Sequence, residues 1–173
     1  MQDLDIYNNS YLIIGAPNTM KSEISFLLKK ELGFKLINLD REKYSYFNDF
    51  TDYESDMYYD LLENSFNKAL NYIHKYEMQH LNYILDNISE NVIIDFGNTY
   101  LLIDDNEILN KLKLFKNIIL LYKNTKELND IETKLKNNKV LDDIYTIKIC
   151  IDNKNKSDII KEILNFHTFK SIL

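Results

Sequence analysis

The chain is poor in the residues that mark disulfide scaffolds, linkers and nucleic-acid surfaces. Its 173 residues hold one cysteine, Cys150, one proline, Pro17, and one arginine, Arg41. A lone cysteine excludes an intramolecular disulfide. Cys150 falls in an apolar, strand-like run, where a buried thiol in a reduced, cytoplasmic protein is the expectation. With a single proline and no low-complexity stretch nothing marks a boundary, and residues 1–173 read as one domain with a single substantial core. No apolar run approaches the length of a membrane span, and Met1-Gln2-Asp3-Leu4-Asp5 lacks the basic-then-apolar layout of a signal peptide. A net charge of −6 with no concentrated basic block argues against nucleic acid as a partner. The expected assembly is a monomer or small homo-oligomer. Asn, Lys, Ile and Tyr are abundant where arginine is scarce, a pattern of low-GC coding bias that also accounts for the many tyrosines.

What is present begins at Tyr11-Leu12-Ile13-Ile14-Gly15-Ala16-Pro17-Asn18-Thr19-Met20-Lys21-Ser22. A short apolar strand runs into a loop that closes on Lys-Ser, one residue short of the phosphate-binding pattern G-x-x-x-x-G-K-[ST]. Phosphate oxygens are best held by converging backbone N–H groups at a helix N-terminus. Gly15 lets the chain turn off the strand, Lys21 reaches the β and γ phosphates, and the Ser22 hydroxyl ligates magnesium. Asn18 tolerates left-handed backbone, and Thr19 completes the loop. Met20 stands where the second glycine belongs. The following residues carry apolar groups at Ile24, Leu27, Leu28 and Leu32, a helical spacing stopped by Gly33. The competing reading is an ordinary strand–turn–helix with a chance Lys-Ser.

Apolar runs alternate with helical segments along the rest of the chain. Strands are predicted at 11–15, 35–39, 92–96, 117–122 and 145–151, each more continuous than alternating, as in a sheet buried on both faces. Helices are predicted at 21–32, 55–87 (two helices or one bent one), 105–114, 126–137 and 156–165, with a loop or short helix at 40–54. This alternation predicts an α/β fold in three layers, a parallel five-stranded sheet flanked by helices. Ligands in such folds sit at the carboxyl ends of strands. Attention therefore falls on the 15–22 loop, Asp40, Asp95 to Asn98, and Lys123 to Thr125.

Nearly end to end, the chain resembles the shikimate kinase family of P-loop small-molecule kinases. The resemblance rests on the 12–22 strand and loop, on Glu31-Leu32-Gly33-Phe34-Lys35-Leu36-Ile37-Asn38-Leu39-Asp40, and on Ile73-His74-Lys75-Tyr76-Glu77 with Leu81. It continues through Val92-Ile93-Ile94-Asp95-Phe96-Gly97-Asn98 and Asn117-Ile118-Ile119-Leu120-Leu121-Tyr122. The resemblance implies ATP and Mg²⁺ as cofactors, with Gly15, Lys21 and Ser22 at nucleotide-phosphate and magnesium positions. Asp40 matches the aspartate that binds the acceptor hydroxyl and could act as its base. Asn38 replaces a first aspartate, Gly97 is the survivor of a substrate-facing triple glycine beside Asn98, and His74 stands for an arginine that grips a carboxylate. Asp95, ending its strand, could hold a magnesium-bound water. The lid arginines are replaced by lysines, among Lys134, Lys136 and Lys139. Lysine supplies charge without the bidentate fork that fits a carboxylate, so shikimate is a poor acceptor here.

Each aspartate has a plainer reading, as an N-cap or turn residue after a strand. His74, Glu77 and His80 also fall on one helix at i, i+3 and i+6, but a di-metal bundle needs two such motifs. The leading expectation is an ATP-dependent phosphotransferase acting on a small-molecule acceptor. The alternatives are a catalytically degenerate nucleotide-binding pseudokinase and a scaffold that keeps only the fold.

Overall fold

The computed structural model describes residues 4–50, 52–124 and 144–170. The chain opens with α1 (Leu4–Asn9), then β1 (Tyr11–Gly15), α2 (Lys21–Leu32), β2 (Lys35–Asn38), α3 (Leu39–Phe47), α4 (Ser55–Asn64) and α5 (Phe66–Asp86). There follow β3 (Val92–Asp95), a single 3-10 turn at Thr99–Leu101, α6 (Asn106–Leu112), β4 (Asn117–Tyr122), β5 (Ile147–Cys150) and α7 (Lys156–Lys170). The predicted helix at 126–137, and with it Lys134, Lys136 and Lys139, lies outside the described residues. Among the described residues no helix is long and apolar enough to cross a membrane.

The five strands form one parallel sheet in the order β2-β3-β1-β4-β5. Side chains alternate across a strand, and here both faces are apolar. Leu12 and Ile14 of β1 join Ile94 and Ile118 in a cluster closed by Leu81 and Leu85 of α5 and Ile108 and Leu112 of α6. Tyr11 and Ile13 join Ile93, Ile119 and Leu121 on the other face, under Ile24 and Leu28 of α2 and Ile159 and Ile163 of α7. That double burial is why the strands read as continuous apolar runs.

The element bounds depart from expectation in places. β2 stops at Asn38 because Asn38 caps α3, its Oδ1 accepting from the Arg41 N–H at 2.9 Å, so Leu39 and Asp40 belong to a helix. The 55–87 stretch takes the first of its two expected forms, two helices, broken at Ser65, whose extended backbone (φ −163°, ψ 107°) ends α4. α1 has no strong sequence signal: its six residues are fixed by Tyr7, buried edge-on against Phe115 at 5.0 Å.

β1 lies at the centre, flanked by β3 and β4, and the chain leaves it in one direction to β2 and reaches β4 on the other. Its carboxyl end is therefore the topological switch point, where an open α/β sheet leaves a crevice. The 15–22 loop occupies that crevice.

Candidate phosphate site

The loop is built around Gly15, whose φ of 154° favours glycine. A Cβ there would collide with the Leu121 carbonyl of β4 and stand 2.7 Å from Thr19 Oγ1. Thr19, buried, donates to the Ala16 carbonyl at 2.7 Å and folds the loop back on itself. Asn18 and Met20 both take left-handed backbone, at φ 62° and 61°. Met20 is the N-cap of α2 and makes no side-chain cap. Its side chain is half-buried against the apolar cluster beneath α2, and Met20 also borders the hollow that the loop encloses. Left-handed backbone at a residue with a Cβ costs on the order of 1–2 kcal/mol, and this packing offsets it.

Lys21 opens α2 and is nearly buried, 9% exposed. Its ammonium donates to Ala16 O at 3.0 Å and to Asn98 Oδ1 at 2.8 Å. Burial lowers its pKa, while Asp95 and Asp40 pull it back up. Ser22 hydrogen-bonds to Asp95 at the end of β3. Asp95 also accepts from Asn38 Nδ2 at 2.6 Å and is itself 3% exposed. Burial raises the Asp95 pKa, opposed by Ser22, Lys21 and Asn38 and reinforced by Asp40. Asp95 caps no helix, and the cap of α3 is Asn38, so neither aspartate plays the plain N-cap role.

Asp40 projects from the first turn of α3, half-exposed, 3.5 Å from the Lys43 ammonium. Gly97 lies directly against it, its missing side chain leaving the room. Lys21, Ser22, Asp40, Asp95 and Asn98 thus border one open cavity of about 430 Å³ at the carboxyl ends of β1, β2 and β3. Ser22 and Asp95 offer oxygen donors side by side, the donor type that a hard cation such as magnesium takes. The structure brings together the loop residues, Asp40, Asp95, Gly97 and Asn98.

His74 stands apart, facing a second cavity, where its Nε2 donates to Asp104 at 2.8 Å. The three residues of the helical His-Glu-His set each have separate partners: His80 Nδ1 is hydrogen-bonded to the Tyr100 hydroxyl at 2.6 Å, while Glu77 is buried under Lys43 and Thr99. Lys43 and Thr99, the partners of Glu77, are the residues near the site that sequence reasoning missed. The signal was available in Glu77 alone, since a glutamate on the apolar face of a long helix needs a cation or donor. Nothing local pointed to which residue supplies it.

No family model matches the chain, and no curated protein sequence does. Solved structures do. The chain is similar to shikimate kinase from Aquifex aeolicus at 19% identity and a TM-score of 0.64, over 95% of this chain and 98% of that one. It is similar to shikimate kinase from Acinetobacter baumannii, in complex with shikimate, at 11% identity and 0.65, over 99% and 100%. It is also similar to the YorR protein of Bacillus subtilis, in complex with phosphorylated GDP, at 15% identity and 0.58, over 94% and 98%. The chain has an α/β P-loop fold of the small-molecule kinase type. Within that class its architecture is shikimate kinase-like.

Proposed function

We propose that this protein is an ATP- and magnesium-dependent kinase that phosphorylates a hydroxyl of a small molecule other than shikimate. The observation that carries the reading is the convergence of Lys21, Ser22, Asp95 and Asp40 on one cavity at the switch point of the sheet. Phosphoryl transfer asks little covalent chemistry of the protein and much placement and charge. The loop amides and the Lys21 ammonium hold the β and γ phosphates, and Asn98 orients Lys21 from across the cavity. Ser22 and Asp95 would hold magnesium, which when bound supplies charge neutralisation to the phosphates. Asp40 orients the acceptor hydroxyl. That oxygen attacks the γ-phosphorus and the bond to the β,γ-bridging oxygen breaks. Its proton passes to the Asp40 carboxylate and ADP leaves with the bonding pair.

A nucleotide-binding pseudokinase is the second reading, favoured by Asn18 and Met20 at left-handed positions where glycine would free the backbone. Isothermal titration with ATP and magnesium-ATP, on wild type and Lys21→Ala, tests the shared premise. Micromolar, magnesium-dependent binding that is lost in the variant supports both readings, and ADP release with an acceptor then selects the kinase. No heat at millimolar nucleotide overturns both.

A further inference from the structure

A second cavity of about 170 Å³ opens between α5 and the 3-10 turn, bordered by Asn71, His74, Glu77, Thr99 and Asp104, with Leu102 as an apolar wall. Glu77 is its most unusual member, a carboxylate 1% exposed. Its Oε1 is fully engaged, accepting from Lys43 Nζ at 3.1 Å and from Thr99 Oγ1 at 2.5 Å. Its Oε2 has no hydrogen-bond partner among the described residues. A buried carboxylate oxygen left without a donor carries a standing desolvation cost, and a native structure keeps such a group where something else satisfies it.

The surrounding charge says what that something is. Asp104 lies on the same cavity, its Oδ1 paired with His74, and no arginine is present to receive a carboxylate, the chain's single arginine being Arg41 on α3. Lys43 is already committed, lying between Glu77 and Asp40 at 3.1 and 3.5 Å. A ligand carboxylate would join two acidic side chains with no lysine or arginine bordering the cavity among the described residues. An ammonium would meet the unpartnered Glu77 oxygen and the Asp104 carboxylate. Consecutive residues border the two cavities, Asn98 the phosphate cavity and Thr99 the smaller one, and Lys43 links Asp40 to Glu77.

We propose that the smaller cavity seats the ammonium end of a small amino alcohol on Glu77 and Asp104, leaving its hydroxyl beside Asp40 as the phosphoryl acceptor. The assignment of a cationic acceptor rests on the kinase reading for its chemistry, but the binding pocket stands or falls by itself. Residues 71–77 then select the acceptor by charge, with His74 held by Asp104 as part of the wall rather than as a carboxylate grip.

The test is titration of wild type, Glu77→Gln, Asn71→Lys and Lys21→Ala with aminobutanol, ethanolamine, butanediol and hydroxybutanoate, each with and without magnesium-ATP. Aminobutanol is expected to bind wild type roughly tenfold or more tighter than hydroxybutanoate, which has a similar length and the opposite charge. Glu77→Gln is expected to weaken it by about tenfold or more. Asn71 is exposed, so Asn71→Lys adds a cation at the mouth without disturbing the core, and a similar loss is expected even if Glu77→Gln fails to fold. Lys21→Ala is expected to leave aminobutanol binding intact while abolishing that of magnesium-ATP. Aminobutanol binding and responding to the 77 and 71 variants while nucleotide gives no heat would sink the kinase reading and keep the pocket. Equal binding of hydroxybutanoate, indifference to both variants, or no heat with any probe overturns the pocket.

Discussion

A Cβ at position 97 would stand 2.8 Å from Cγ of Asp40 and closer still to its Oδ1, so the Asp40 carboxylate occupies the space that a side chain at Gly97 would need. Gly97→Ala must therefore move either Asp40 or Tyr100, whose Cδ2 is equally near at 2.8 Å. Tyr100 is buried in the main core and hydrogen-bonded to His80, whereas Asp40 is half-exposed, so Asp40 yields. Gly97→Ala is expected to cut phosphoryl transfer by about tenfold or more while leaving magnesium-ATP affinity within a few-fold, and to destabilise by roughly 1–2 kcal/mol. Titration calorimetry beside a coupled ADP assay separates the two effects. A parallel loss of both would place Asp40 in nucleotide binding instead.

The Lys43–Glu77 pair is buried on both sides, which makes it a poor net stabiliser and an expensive one to break. Burial raises the Glu77 pKa, and Lys43 and Thr99 oppose the rise. Lys43→Met is expected to cost about 3 kcal/mol in urea unfolding, because it leaves a buried carboxylate without its cation. Lys43→Met combined with Glu77→Leu is expected to recover most of that loss. A double variant no more stable than the single one would show that the pair stabilises the fold outright.

Met20→Gly sets two terms against each other. It relieves a left-handed backbone strain of about 1–2 kcal/mol and removes a half-buried side chain contributing roughly 1 kcal/mol. Stability is expected to stay within about 1 kcal/mol of wild type, while magnesium-ATP binds several-fold tighter to a loop freed of a side chain. Thermal denaturation and calorimetry check the two halves. Weaker binding would mean that Met20 holds the loop in shape through its contact with the core.

His80 gives the fold an acid limit. Burial, with the nearby Lys43 charge, lowers its pKa to about 4 from 6.5, so the unfolded chain takes up the proton first. Stability from a neutral His80 is fully present above pH 6.5 and is lost as pH falls towards 4, on the order of 3 kcal/mol in all. Glu77 and Asp95, whose carboxyl pKa values are raised by burial, act in the opposite sense as pH falls. The comparison of wild type with His80→Asn, which retains a polar atom near Tyr100, isolates the histidine. The variant is expected to be less stable at pH 7 and to lose that deficit as pH approaches 4. A constant gap would show that His80 does not titrate between those limits.

The sheet was legible because each strand is apolar on both faces, so 11–15 and 117–122 emerge from the sequence with the bounds the structure has. The turn from β1 into α2 was legible because its residues are consecutive. Asn38 was read only as a replaced aspartate, because its part depends on Asp95, which lies 57 positions away on a neighbouring strand. The Lys43–Glu77 pair, 34 positions apart, was hidden for the same reason: helix packing brings the two together, and periodicity records which face is buried without recording what covers it. α1 was invisible because six residues are too few to show a period.

Asn38 joins two parts of the site through the opposite ends of one amide. Its oxygen fixes the first turn of α3, and its nitrogen fixes the Asp95 carboxylate. Asparagine is one of the few side chains that can accept at one end and donate at the other, and an aspartate here would set two carboxylates face to face. The helix turn that carries Asp40 and the strand end that carries Asp95 are thereby clamped as one piece. Asp40 and Asp95 cannot drift apart without breaking a hydrogen bond, so the spacing between them is set by a residue that stands between α3 and β3.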